Sequence, residues 1–130
     1  MPRRLTKADN GKLIFVPTDG SVLIELASNP TTGFTWVMDG TAAGQEGVNV
    51  TIRGNINTYI TKYFHIRREY IHPDKGRLGA SGTDRFRVTP RVSGEHELVL
   101  VYARSWEAPE PEAERFRVRL RAGERIARRW

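Results

Sequence analysis

The sequence predicts an all-β fold, an antiparallel sandwich or barrel of about seven to nine short strands. Three observations predict it. Apolar residues recur with a period of two along most of the chain. Turn-forming pairs such as Asn29-Pro30, Asp39-Gly40, Gly54-Asn55 and Ser93-Gly94 separate these runs at short intervals. No stretch of helical length carries a 3.6-residue apolar period.

Taken in order, Leu13–Val16 reads as a short edge strand stopped by Pro17. Val22–Leu26 and Leu98–Tyr102 are denser apolar runs, suited to strands covered on both faces or central in a sheet. Val48, Val50 and Ile52 alternate with polar residues. Residues 40–47, rich in Gly and Ala, read as a loop, and Tyr59–Ile66, β-branched and aromatic, as one strand. Phe86 and Val88 alternate with Arg85 and Arg87, and Phe116, Val118 and Leu120 alternate with Arg115, Arg117, Arg119 and Arg121. Each of these last two is a half-buried strand with one arginine-covered face. Residues 1–123 form one domain in this reading, because 130 residues is an ordinary single-domain length, and 124–130 a basic tail.

Composition narrows the function. The chain has no Cys, which excludes a disulfide framework, a Cys nucleophile and thiolate metal sites. His65, His72 and His96 are scattered, without a second ligand at a metal-binding spacing. Asp74 with Asp84, or Glu110 with Glu112, could be cast as paired carboxylates, and the latter two lie in a proline-stiffened connector, Ala108–Glu114. No phosphate-binding loop or nucleophile-elbow pattern occurs. The expectation is a non-enzyme without metal or cofactor. No apolar run approaches the roughly 20 residues of a membrane helix. The basic N-terminus runs into no apolar segment, so as it stands the sequence carries no signal peptide and reads as cytoplasmic, or periplasmic or secreted if the chain is a processed form.

The net charge of +6 raises nucleic-acid binding. Arg115, Arg117, Arg119 and Arg121 would line one strand face, extended by Arg85 and Arg87 if the two strands were neighbours. The aromatics alternate to the opposite face, where no base stacks on them, so a solvated sheet face is the simpler reading and no nucleic-acid partner is expected.

Three loops are over-specified for connectors. In Asn29-Pro30-Thr31-Thr32-Gly33-Phe34, Pro30 fixes one torsion, the Asn29 side chain bonds nearby backbone, Gly33 admits positive φ, and two hydroxyls are displayed on a rigid tip. In Gly79-Ala80-Ser81-Gly82, small residues allow close backbone approach. Arg104-Ser105-Trp106 puts two hot-spot residue types into a loop after the strongest strand. A tight turn, a flexible hairpin and a Trp folded over the sandwich end are the plain alternatives.

Together and in this order, the three segments resemble the chagasin family of protein inhibitors of papain-like cysteine peptidases. The first is similar to its N-P-T-T-G-[FY] loop. The second is similar to G-x-G-G with Ser81 in place of Gly, and the third to R-P-W with Ser105 in place of Pro. The resemblance runs from about Ser21 to Leu120 and includes Tyr102. It implies an immunoglobulin-like sandwich whose three loops cluster at one end and enter the peptidase cleft, with reversible, non-covalent inhibition, and an open loop end suggests a monomer. Carried over, Thr31 and Thr32 lie nearest the peptidase Cys–His pair, and Pro30 and Gly33 shape the loop. Gly79, Ala80 and Gly82 offer backbone contacts, and Trp106, with Arg104 near it, packs beside the cleft. Ser81, if it takes positive φ, costs about 1–2 kcal/mol relative to Gly, and Ser105 forgoes about 0.4–1 kcal/mol of proline pre-organisation. The segment 35–78 is longer than the resemblance leads one to expect and reads as an added hairpin or long strand pair. The competing functions are a non-inhibitory immunoglobulin-like binding module and a basic nucleic-acid-binding β-domain.

Overall fold

The computed structural model describes residues 2–17, 19–46, 49–54, 56–73, 82–104 and 106–123. Gly79, Ala80, Ser81, Ser105, Val48, Asp74 and the tail 124–130 lie outside the described residues. Ten strands run through the described residues: β1 Arg3–Leu5, β2 Leu13–Val16, β3 Val22–Ser28, β4 Phe34–Met38, β5 Asn49–Arg53, β6 Ile56–Ile60, β7 Phe64–Ile71, β8 Gly82–Pro90, β9 Gly94–Arg104 and β10 Arg115–Ala122. They form a six-stranded sheet, β1-β3-β8-β7-β6-β5, and a four-stranded sheet, β2-β10-β9-β4.

The period of two is what makes this a sandwich. Val22, Ile24, Leu26, Ile66, Phe86 and Val88 of the wide sheet meet Trp36, Leu98, Leu100, Phe116, Val118 and Leu120 of the narrow one in a single buried cluster. Alternate residues of β10 face outward, where Arg119 and Arg121 pair with Glu95 and Arg117 with Glu97. Because β8 sits in the wide sheet and β10 in the narrow one, Arg85 and Arg87 do not extend the β10 arginine face. Arg85 instead pairs with Glu25 of β3, directly across the strand pair.

Three expectations change. The sheets are mixed, not purely antiparallel, since β1 pairs parallel with β3 and β2 parallel with β10. The strand number exceeds the expected range partly because β1, three residues with only Leu5 buried, is too short to show a period. Tyr59–Ile66 is two strands. Thr61 Oγ1 accepts the N–H groups of Tyr63 and Phe64, which closes a tight turn between β6 and β7. Of the two alternatives for Val22–Leu26 the second holds: Leu23 is only half-buried, so β3 is covered on one face, and it lies inside the wide sheet between β1 and β8. Leu98–Val101 by contrast is buried on both faces. The loop after β4 explains why: buried Gln45 accepts the Val99 N–H at 2.9 Å and donates to the Val99 carbonyl at 3.0 Å, standing in for a strand where β4 has ended. Leu13–Val16 is an edge strand as read.

Candidate functional site

Strand register brings three loops to one end of the sandwich. Phe34, where the first loop enters β4, pairs with Arg104, where β9 enters the third loop. Ser28, the last residue of β3, pairs with Gly82, the first of β8. Gly82 is therefore the described end of the second loop and lies beside the start of the first. A Cβ at Gly82 would collide with the Tyr70 hydroxyl and the Ile71 carbonyl, so the backbone approach needs glycine.

The first loop is built from its own side chains. Pro30–Thr32 form one turn of 3-10 helix, and Gly33 follows at φ +85°. The Asn29 carboxamide oxygen accepts the Thr31 hydroxyl at 2.6 Å and the Thr31 N–H at 3.3 Å. Thr32 Oγ1 donates to the Asn29 carbonyl at 2.9 Å and accepts the Phe34 N–H at 3.4 Å. Both threonines are exposed, yet their hydroxyl protons point inward, and what they offer a partner is acceptor oxygen. The expectation of freely displayed hydroxyls is sharpened accordingly.

The sandwich anchors this loop from below. The Asn29 N–H donates to the Tyr102 hydroxyl at 3.1 Å, and the Tyr102 ring packs 5.5 Å from Phe34 and 5.2 Å from Trp36 between centroids. Trp36 is buried and donates its indole N–H to the Ala27 carbonyl. Phe34 is only half-buried because it lies at the loop mouth beneath the Arg104 guanidinium, 4.7 Å from its ring. Asp74, the candidate partner of Asp84 in the sequence, lies outside the described residues, and Asp84 has a structural role. Fully buried, it accepts the Trp36 N–H at 2.9 Å and pairs with Arg68, so it ties the bases of the first two loops together across the two sheets.

The third loop closes over the first. Arg104 Nε donates to the Thr32 carbonyl at 3.3 Å. Trp106 is 69% exposed and not folded over the sandwich end. Its indole edge lies against Gly33, where an added Cβ would come within 2.8 Å of Cη2. The connector that follows is gathered by Arg115, which donates to the carbonyls of Glu110, Pro111 and Ala113 while its Nε donates to Asp39 at 2.8 Å. Burial pushes the Asp39 carboxyl up, but Arg115 and the Thr41 hydroxyl and N–H outweigh it and hold the group below its ordinary value of 3.8. Among the described residues no three of His, Asp and Glu gather as a metal site requires.

Residues 16–120 match the description "Chagasin family peptidase inhibitor I42". The chain belongs to the chagasin family of peptidase inhibitors. It is 38% identical over 122 residues to Chagasin of Trypanosoma cruzi, which covers 94% of this chain and 99% of that protein. It is 30% identical over 104 residues to Amoebiasin-1 of Entamoeba histolytica, covering 78% and 82%. Its fold matches the solution structure of Amebosin with a TM-score of 0.63 and 27% identity, over 95% of this chain and 99% of that one. Against this chagasin-family background, the sequence motifs marked the loop tips but missed their supports. Asp84, Arg68 and the Asp39–Arg115 pair carry no motif. The signals that were present are a charge inside an alternating strand, Asp84 between Gly82 and Phe86, and an aspartate at a turn opposite a strand arginine.

Proposed function

We propose that this chain inhibits papain-like cysteine peptidases reversibly and without covalent chemistry. Its first, second and third loops enter the active-site cleft as one wedge. The residues that make contact are Asn29, Pro30, Thr31, Thr32, Gly33 and Phe34; Gly79, Ala80, Ser81 and Gly82; and Arg104, Ser105 and Trp106. The observation that carries the reading is the junction of the first and third loops, where Trp106 lies on Gly33 and Arg104 holds the Thr32 carbonyl. A surface assembled before binding loses little conformational entropy on binding. Among the described residues it presents a glycine-shaped tip, acceptor oxygens and an exposed indole. The likeness of the loops to the family's motifs supports the same assignment.

The test is a titration of papain or a cathepsin-type peptidase with the protein. Tight, dilution-reversible loss of activity is expected, and full activity at micromolar protein overturns the reading. Trp106→Ala is expected to weaken inhibition by about 2 kcal/mol or more, as truncating an interface hot spot does. Its melting temperature should not move, because the side chain is 69% exposed. An unchanged inhibition constant removes Trp106 from the contact.

A further inference from the structure

The two sheets differ in width by two strands, and the overhang leaves an apolar groove. β5 and β6 extend past β4, the edge of the narrow sheet. Val37 and Met38 of β4, Val50 and Ile52 of β5 and Tyr59 of β6 line an open groove of about 570 Å³, with polar groups at Thr35, Gln45, Asn57 and Arg68, the last paired to Asp84. The alternation read in Val50 and Ile52 is genuine but faces this groove, not a closed core: Val50 is 48% and Ile52 66% exposed.

The register fixes where the groove lies. Arg53 pairs with Ile56 and Ile56 with Glu69, so the turn joining β5 to β6 points toward the loop end. Ile71, two residues beyond Glu69, pairs with Thr83, next to Gly82. Ile56 thus sits about three residues, or roughly 10 Å, below the base of the second loop. Thr35 on the groove rim directly follows Phe34 of the first loop. Another pair of exposed apolar residues, Leu13 and Phe15 on β2, is on the opposite edge, with Phe15 paired to Arg121 toward the far end of β10.

We propose that this groove is a fourth contact surface, occupied by an apolar side chain from the wall of the peptidase cleft on the second-loop side. The inference rests on the wedge reading above. A wedge seated in a cleft brings the cleft walls down along its flanks, and the groove opens on the flank between the first and second loops. An apolar centre with a polar rim is the composition of an interface contact, and the patch is continuous with the loop end. Its consequence is selectivity: peptidases with an apolar residue on that wall are inhibited more tightly than those with a charged one.

The experiment measures inhibition constants of the parent, Ile52→Asp, the milder Ile52→Ser and Trp106→Ala against a panel of papain-like peptidases, with melting temperatures and sedimentation velocity alongside. Both Ile52 variants should keep the parent melting temperature. Ile52→Asp should weaken inhibition roughly tenfold against peptidases with an apolar wall and less against those with a charged one. If Trp106→Ala weakens inhibition and neither Ile52 variant does, the groove proposal is overturned and the wedge stands. If Trp106→Ala and Ile52→Asp both leave inhibition unchanged, the wedge reading fails and takes this proposal with it. If the parent self-associates and Ile52→Asp abolishes that, a second copy of the chain covers the groove and the proposal is overturned.

Discussion

The first and third loops meet where Gly33 touches Trp106, yet different forces hold them. The first is fixed by neutral hydrogen bonds within six residues, from Asn29, Thr31 and Thr32, and by the Tyr102 hydroxyl beneath it. The third is held by charged groups. Arg104 reaches the Thr32 carbonyl and lies 3.8 Å from Glu107, and Arg115, paired to Asp39, gathers the connector behind it. A loop of neutral bonds keeps its shape as pH changes. A loop anchored by ion pairs keeps it only while the carboxylates are ionised. The difference separates a rigid tip from an arm whose support can be titrated.

The largest effect of this contrast is expected at the contact between the loops. Gly33→Ala must hold φ +85° and seat a Cβ against the Trp106 ring. The left-handed backbone alone costs about 1–2 kcal/mol, and displacement of the indole adds to the loss of inhibition. Made in a Trp106→Ala background, the same change should cost less, because one of its two penalties is gone. Strictly additive inhibition energies in the double-mutant cycle would show that the two loops act independently.

Next is Tyr102→Phe, which keeps the ring packing on Phe34 and Trp36 but removes the acceptor of the Asn29 N–H. A lost hydrogen bond of this kind is worth about 1 kcal/mol. Inhibition should weaken several-fold, and amide exchange should quicken at Asn29 but not at Glu107. Equal quickening at both amides would mean that the loops share one support.

The smallest effect is the pH dependence of the arm. Asp39 has a lowered carboxyl in the folded protein, so its contribution to stability is complete above the ordinary value of 3.8 and is lost as pH falls through the lower folded value. Urea midpoints should therefore be insensitive to this group from pH 5 to 8 and drop below about pH 4. Asp9, whose carboxyl is lowered by the Thr6 N–H, contributes to the same acid limb. The difference between the parent and Asp39→Asn isolates the Asp39 part: the variant is less stable at neutral pH, and the gap closes on acidification. A constant gap at all pH values would assign the loss to packing, not to the charge.

Much of the fold was legible because a half-buried strand must alternate, as Phe116–Leu120 and Phe86–Val88 do. The break inside Tyr59–Ile66 was not legible, because Thr61, Lys62 and Tyr63 include no Gly or Pro and the turn depends on one threonine hydroxyl. The loop tips were legible because Asn, Pro, Thr and Gly act locally: Asn29 bonds to Thr31 two residues on, and Gly33 supplies its own torsion. Asp84 was not, because its partners, Trp36 and Arg68, lie 48 and 16 residues away.

By itself the sequence determined what depends on neighbours in the chain: an all-β class, a first loop rigid by its own bonds, and a set of motifs that name the family. Only the tertiary structure decided what depends on register between distant strands. It set Phe34 opposite Arg104 and Ser28 opposite Gly82, which gathers the loops at one end. It laid Trp106 on Gly33, and it made one sheet two strands wider than the other, leaving Val50 and Ile52 over an open groove. Alternation reports that a residue faces inward, but whether a second sheet is there to cover it is a property of how many strands each sheet holds.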